Sequence, residues 1–269
     1  GLIVVCLLYI FAIRSVRRSK PEEKLLLTRR VVSFIVAVSA IALLLLTPVD
    51  TIARTQLFSV HMFQAVMLIT LCAPLLLYAY PAWLAQPLFA NPLVRPIASI
   101  LTQPVIASLI FNLNFLLWHA PLFFNFALRN GTFYHVMMVS FLVTALLNWW
   151  PLIGPVRELH KMTYPLRMLY AFLDGQPVDI FAFLLVFSFV VFYPHYAVPP
   201  QLGISAFADQ AVGGALLLLP GLVDLGVMSP LFFRWLGQLE AKAKIADQQR
   251  EEEEDALMEE EEMEQHSEA

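Results

Sequence analysis

Six histidines are spread along the 269 residues of this chain. Four of them, His61, His119, His135 and His195, stand at the ends of long apolar runs. Imidazole is the commonest metal ligand and is rare inside apolar helices. Histidines gathered at one end of a helix bundle therefore point to metal handling there. Their neighbours point the same way. His61 and Gln64 are three residues apart and share a helix face, and His135 and Met138 are spaced likewise. Met62 and Met137 lie beside them. Imidazole together with thioether suits copper, and the thioether favours the cuprous ion. Asp209, at the start of the last apolar run, adds a carboxylate at the same depth. The competing reading is plain: histidine is at home in a membrane interface and methionine is common in apolar helices. One such histidine would be interfacial packing, whereas four on one face favour a metal or another cofactor.

Whether these residues share a face depends on the elements that carry them. Apolar runs occupy residues 31–46, 57–79, 105–118, 133–150, 178–193 and 211–233. Each approaches the length needed to cross a ~30 Å hydrocarbon core as a helix, some with their flanks included. A seventh run, 2–13, reads as the end of a first span and lacks the basic start of a signal peptide. Hydrophobic residues make up 59% of the chain and charged ones 14%, far below the ~25% of a soluble domain. The expected fold is an all-α polytopic membrane bundle of about seven transmembrane helices.

The basic residues orient it. The link after the first run holds Arg14, Arg17, Arg18, Lys20, Lys24, Arg29 and Arg30, which the positive-inside rule assigns to the cytoplasm. Alternation then leaves only Arg54 and Arg129 outside and 15 of the 17 basic residues inside. This gives an outer N-terminus, a cytoplasmic C-terminus and four histidines at the outer ends of their spans. Residues 1–238 form the seven-span domain. From Glu240 onward 13 acidic residues face Lys242, Lys244 and Arg250, so 239–269 is expected to be an acidic cytoplasmic tail, disordered or a frayed helix.

Other polar residues have structural readings. Asn112 and Asn114 are expected to bond between helices. Asp174-Gly175-Gln176-Pro177 reads as a break followed by a helix start, with Asp179 in its first turn. Asp224 lies within the last span, where an ionised carboxylate costs about 2.5–3.5 kcal/mol on insertion scales. Trp118, Trp149, Trp150, Tyr193 and Tyr196 read as interface anchors. Cys6 and Cys72 are far apart and form no C-x-x-C, which gives no support to a thiol copper carrier. No nucleotide fingerprint, nucleophile elbow, H-E-x-x-H or acid–base set is present. The chain is expected not to be an enzyme and not to bind nucleic acid.

Five motifs occur in a particular order: His61-Met62-Phe63-Gln64, Trp118-His119-Ala120-Pro121, Asn148-Trp149-Trp150-Pro151-Leu152, Tyr193-Pro194-His195-Tyr196, and Asp209-Gln210 followed by Gly213-Gly214. In order and spacing they resemble the CtaG family of cytochrome c oxidase assembly factors, in its polytopic, Bacillus-type form, over residues 58 to 221. The resemblance implies a multi-pass protein of the bacterial cell membrane whose partners are cytochrome c oxidase subunits and the lipid bilayer. It further implies an assembly factor, and copper delivery to the oxidase at the outer face. Two positions depart from the family: Ala65 stands where a second histidine is often found, and Met138 and Val139 stand where H-x-x-E-H often continues. The alternatives are a copper transport or resistance protein, which would need ligands through the full membrane depth, and a haem-b electron carrier with axial histidines drawn from His61, His119 and His135.

Overall fold

A computed structural model describes residues 9, 24–156 and 162–268. Every element among them is helical. Residues 1–8, residues 10–23 with the first four basic residues of the link, and His160 lie outside the described residues.

Helix α1 (Lys24–Leu46) ends before Thr47-Pro48, because the residue preceding proline is pushed out of the helical region. The Thr47 side chain accepts from the Val49 N–H and starts α2 (Pro48–Thr55). Pro48 has no N–H, so the carbonyl of Leu44, four residues back, has no helical donor. The next span is α3 (Phe58–Met67), a π-turn (Leu68–Cys72) and α4 (Ala73–Ala79). In the π-turn the Ala73 N–H reaches the Leu68 carbonyl. The following bond of that kind would come from Pro74, which cannot make it. The indole of Trp149 donates instead to the Ile69 carbonyl at 2.9 Å.

Two short helices, α5 (Ala82–Ala90) and α6 (Val94–Leu101), lead to α7 (Pro104–His119), which bends from α6 by 70°. Helix α8 (Pro121–Arg129) follows Ala120 directly. Asn130 then caps α9 (Gly131–Ile153), its side chain accepting from Thr132 and Phe133 N–H. Helix α10 (Tyr164–Phe187), the segment 188–205, α11 (Ala206–Leu217) and α12 (Leu219–Glu268) complete the chain. Among the described residues five helices are long and apolar enough to cross a membrane, and α6 with α7 makes a sixth if that bent pair is one span. Of the first expected span only Tyr9 is described. Leu109, Leu113 and Leu117 form an exposed stripe on α7, and Val136, Val139 and Val143 form another on α9. Apolar side chains turned outward at helical spacing belong against lipid. The chain is a multi-pass helical membrane bundle.

One expectation about the elements is corrected. The break at 174–177 does not exist, since α10 runs unbroken from Tyr164 with Pro177 inside it. Pro177 leaves the Leu173 carbonyl, four residues back, without its helical donor, and the neighbouring Asp174 carbonyl takes a bond from the Asn112 amide at 3.1 Å. Asp179 is therefore mid-helix. The Asp174 carboxylate also receives Asn112 at 3.3 Å and the Asn148 amide, and the Tyr170 hydroxyl donates to Asn148 Oδ1 at 2.9 Å. Asp174, Asp179 and Asp224 line one cavity of about 60 Å³ with Thr70, Asn148 and Tyr170. The intramembrane acids thus share one internal cavity, whose other walls are mostly apolar. The acidic tail, expected to be disordered or a frayed helix, is helical to Glu268. Its Glu, Lys, Gln and Ala are strong helix formers even where no core is available.

The histidine-bearing end is closed by tight packing of α11. A Cβ on Gly214 would meet Leu185 Cβ at 2.8 Å and the Ala182 carbonyl at 2.9 Å, and one on Gly213 would meet the Phe58 ring at 2.6 Å. Glycine at both positions lets α11 approach α10 and α3 at backbone distance.

Candidate metal centre

Helical register decides which histidines look inward. On α3 the buried positions include Phe58, His61, Met62 and Ala65, the i, i+3, i+4, i+7 pattern of an inward face. On α7 they include Phe111, Asn112, Phe115 and His119. Both patterns carry their histidine into the core, His61 with no exposed surface and His119 with 2%. The two imidazoles meet there with Nε2 3.3 Å from Nε2.

Hydrogen bonds fix what those nitrogens present. The amide nitrogen of Gln64 donates to the Leu44 carbonyl left free by Pro48. Its oxygen must then accept, and Tyr134 O–H donates to it at 2.7 Å. The Tyr134 oxygen has spent its proton, so the contact from His61 Nδ1 at 2.9 Å is a donation from Nδ1–H. On the other side, His119 Nδ1 lies 2.7 Å from the Phe115 carbonyl, which can only accept. Both neutral imidazoles carry their proton on Nδ1, and both turn an Nε2 lone pair toward the other. Nothing donates across the gap, and an electron-poor occupant, a proton or a metal cation, is what such a gap accepts. Nδ1–H bonded to an oxygen acceptor is also the outer-shell pattern of metal-binding histidine.

The remaining candidate residues lie elsewhere. His135 is one position past Tyr134, on the outward side of α9, half exposed, with Nε2 3.3 Å from Asp50 Oδ2. His195 is exposed in the segment 188–205. Asp209 is committed to structure: Oδ2 accepts from Phe58 N at 2.7 Å and Oδ1 from Ser59 N at 3.2 Å, capping α3 from α11. Met62, Met137 and Met138 are fully buried core residues, and Gln64 supports His61 through Tyr134. Among the described residues no group of three or more His, Cys, Asp or Glu side chains could hold a metal ion. The four-histidine cluster of the sequence reading is a pair, because His135 falls off the buried face of its helix and His195 sits in an exposed loop.

The match to known proteins is at the level of family. A model of the cytochrome c oxidase caa3 assembly factors matches residues 7–238. The chain belongs to the caa3 assembly factor family. No curated protein and no solved structure matches it.

In this family member four of the five motifs that carry the resemblance meet around the histidine pair, while Asn148-Trp149-Trp150-Pro151-Leu152 packs elsewhere, on Ile69 and Asp174. The Phe124 ring of α8 packs on His61 with centroids 4.9 Å apart and on His119 at 5.4 Å. The Phe115, Phe141 and Phe181 rings complete the wall around His119. Tyr193, expected as an interface anchor, is instead buried with its hydroxyl donating to the His119 carbonyl at 2.6 Å. Burial also pushes its phenol above the usual range, which keeps it a donor. Tyr196 is buried beside it. Gln210 ties the same segment down, accepting from Phe192 N at 2.7 Å and donating to the Val190 carbonyl at 3.0 Å. Tyr134 is the functional residue that sequence reasoning missed. It lies three residues before Met137 and seven before Phe141 on the buried stripe of α9, so periodicity alone could have separated it from His135.

Proposed function

We propose that this assembly factor binds copper as cargo through His61 and His119 and presents it to cytochrome c oxidase at the outer face of the bacterial cell membrane. The observation that carries the reading is the pair of Nε2 lone pairs facing each other across 3.3 Å with both Nδ1 protons committed to oxygen acceptors. These two nitrogens would hold the ion, and imidazole nitrogen suits copper. His61 is oriented by Tyr134, and His119 by the Phe115 carbonyl at the last turn of α7. Aromatic rings exclude water from both. Membership of the caa3 assembly factor family supplies the partner, and the excess of basic residues at the other end of the spans supplies the orientation. A haem-b carrier fits less well, since a macrocycle needs space between its axial rings and this gap is 3.3 Å with rings packed around it.

The test is His119→Ala, with the oxidase assayed under copper limitation. Oxidase maturation should be lost while the variant inserts at normal abundance. Full oxidase activity in that variant would overturn the copper reading and leave a scaffold role in its place.

A further inference from the structure

We propose that Gln64 and Tyr134 are positioning residues that hold His61 in its Nδ1–H form, and that the pair they create is a two-nitrogen site selective for a monovalent soft cation, Cu⁺ rather than Cu²⁺ or Zn²⁺. The inference rests on the copper reading above and adds the oxidation state and the residues that set it.

The relay from Leu44 to His61 has one direction only. Its far end is a backbone carbonyl, which cannot donate, so the Gln64 amide must point its nitrogen there. The amide oxygen then fixes the Tyr134 proton, and the Tyr134 oxygen fixes the proton on His61 Nδ1. Inverting any link would set one acceptor against another and leave a buried polar group unpaired. The relay exists because Pro48 withholds the N–H that would otherwise occupy Leu44. His119 is fixed independently by the Phe115 carbonyl. The free Nε2 lone pairs are therefore properties of the fold, present before any ion arrives.

Two features select the charge of that ion. Structural and catalytic Zn²⁺ takes three or four protein ligands, whereas a filled-shell monovalent ion such as Cu⁺ accepts two nitrogens. Asp209 and Gln64, which could offer a third ligand through oxygen, have their polar atoms bonded elsewhere. The rings of Phe115, Phe124, Phe141 and Phe181 pack against His119 and supply no charge. Burying an ion in a low-dielectric space costs in proportion to the square of its charge, so a second positive charge is strongly disfavoured.

The experiment titrates the purified full chain in detergent, without oxygen, with Cu⁺ against a competing chromophoric chelator, and separately with Zn²⁺ and Cu²⁺. One Cu⁺ per chain is expected, bound at least ~100-fold more tightly than either divalent ion. His61→Ala should abolish Cu⁺ binding. Tyr134→Phe, which removes only the hydroxyl, should lower Cu⁺ affinity by ~10–100-fold, the range for losing an outer-shell partner. Nitrogen-15 NMR of histidine-labelled wild-type protein should show both buried imidazoles as the Nδ1–H tautomer, and this reading stands even if a variant fails to fold. Absence of any Cu⁺ binding by the wild type would overturn the copper reading itself. Cu⁺ binding that needs His61 but is unchanged in Tyr134→Phe, or an Nε2–H tautomer at His61, would overturn the relay alone. Zn²⁺ or Cu²⁺ bound as tightly as Cu⁺ would overturn the charge selectivity and leave the metal site standing.

Discussion

Neighbouring residues in this chain can have opposite fates, and Tyr134 and His135 show why. A step of one residue turns a helix by about 100°. That step separates a buried hydroxyl at the centre of the histidine relay from a half-exposed imidazole on Asp50. Asp209 makes the same point for chemical type: a carboxylate in a motif beside histidines serves as a helix cap. Asp209→Ala strips buried donors at Phe58 and Ser59 of their acceptor. It should destabilise the protein by about 1–2 kcal/mol, read as a lower thermal midpoint in detergent, with Asp209→Asn recovering most of the loss. Unchanged stability with loss of Cu⁺ binding would make Asp209 a ligand instead. His61 and His119 were legible in the sequence because each is an imidazole on an apolar helix face. That they alone make the pair was legible only through register, since membership of a common end of the membrane does not fix which way a side chain points.

At the scale of elements, prolines organise the bundle by what they fail to donate. Pro48 frees Leu44 for Gln64, and Pro74 frees Ile69 for Trp149. In a membrane an unpaired carbonyl has no water to turn to, so both vacancies recruit a side chain from another helix. Trp149→Phe keeps the ring volume roughly and removes the donor to Ile69. It should cost about 1–3 kcal/mol, measurable by thermal unfolding, with Cu⁺ binding at the distant histidine pair retained. A loss of stability under half a kcal/mol would show that water or another donor fills the place. The positions of most spans were legible from apolar length alone. The continuity of α10 through Asp174-Gly175-Gln176-Pro177 was not, because Asp-Gly and proline read locally as a break, whereas the Asn112 amide that holds Asp174 comes from 62 positions away.

At the scale of the whole molecule, charge divides the chain into a basic membrane body and an acidic arm. Truncation after Gln238 removes 31 residues beyond the family match. It should leave protein level and oxidase maturation unchanged in a complementation assay. Maturation lost at a normal protein level would instead give the arm a partner to recruit.

The aromatic seal over the histidine pair changes what its affinity means. Phe124 packs on both His61 and His119, and Tyr193 and Tyr196 pack on Phe124 in turn, bound down by the Tyr193 hydroxyl and Gln210. Under the copper proposal an ion would enter or leave only when α8 or the segment 188–205 swung aside. Loading would then be clocked by that opening: its rate would level off as copper is raised, and the residence time of a bound ion would report the stability of the seal as much as the strength of two nitrogens. Handover would favour contact over release, with a partner that pries the seal open collecting the ion at the moment of docking.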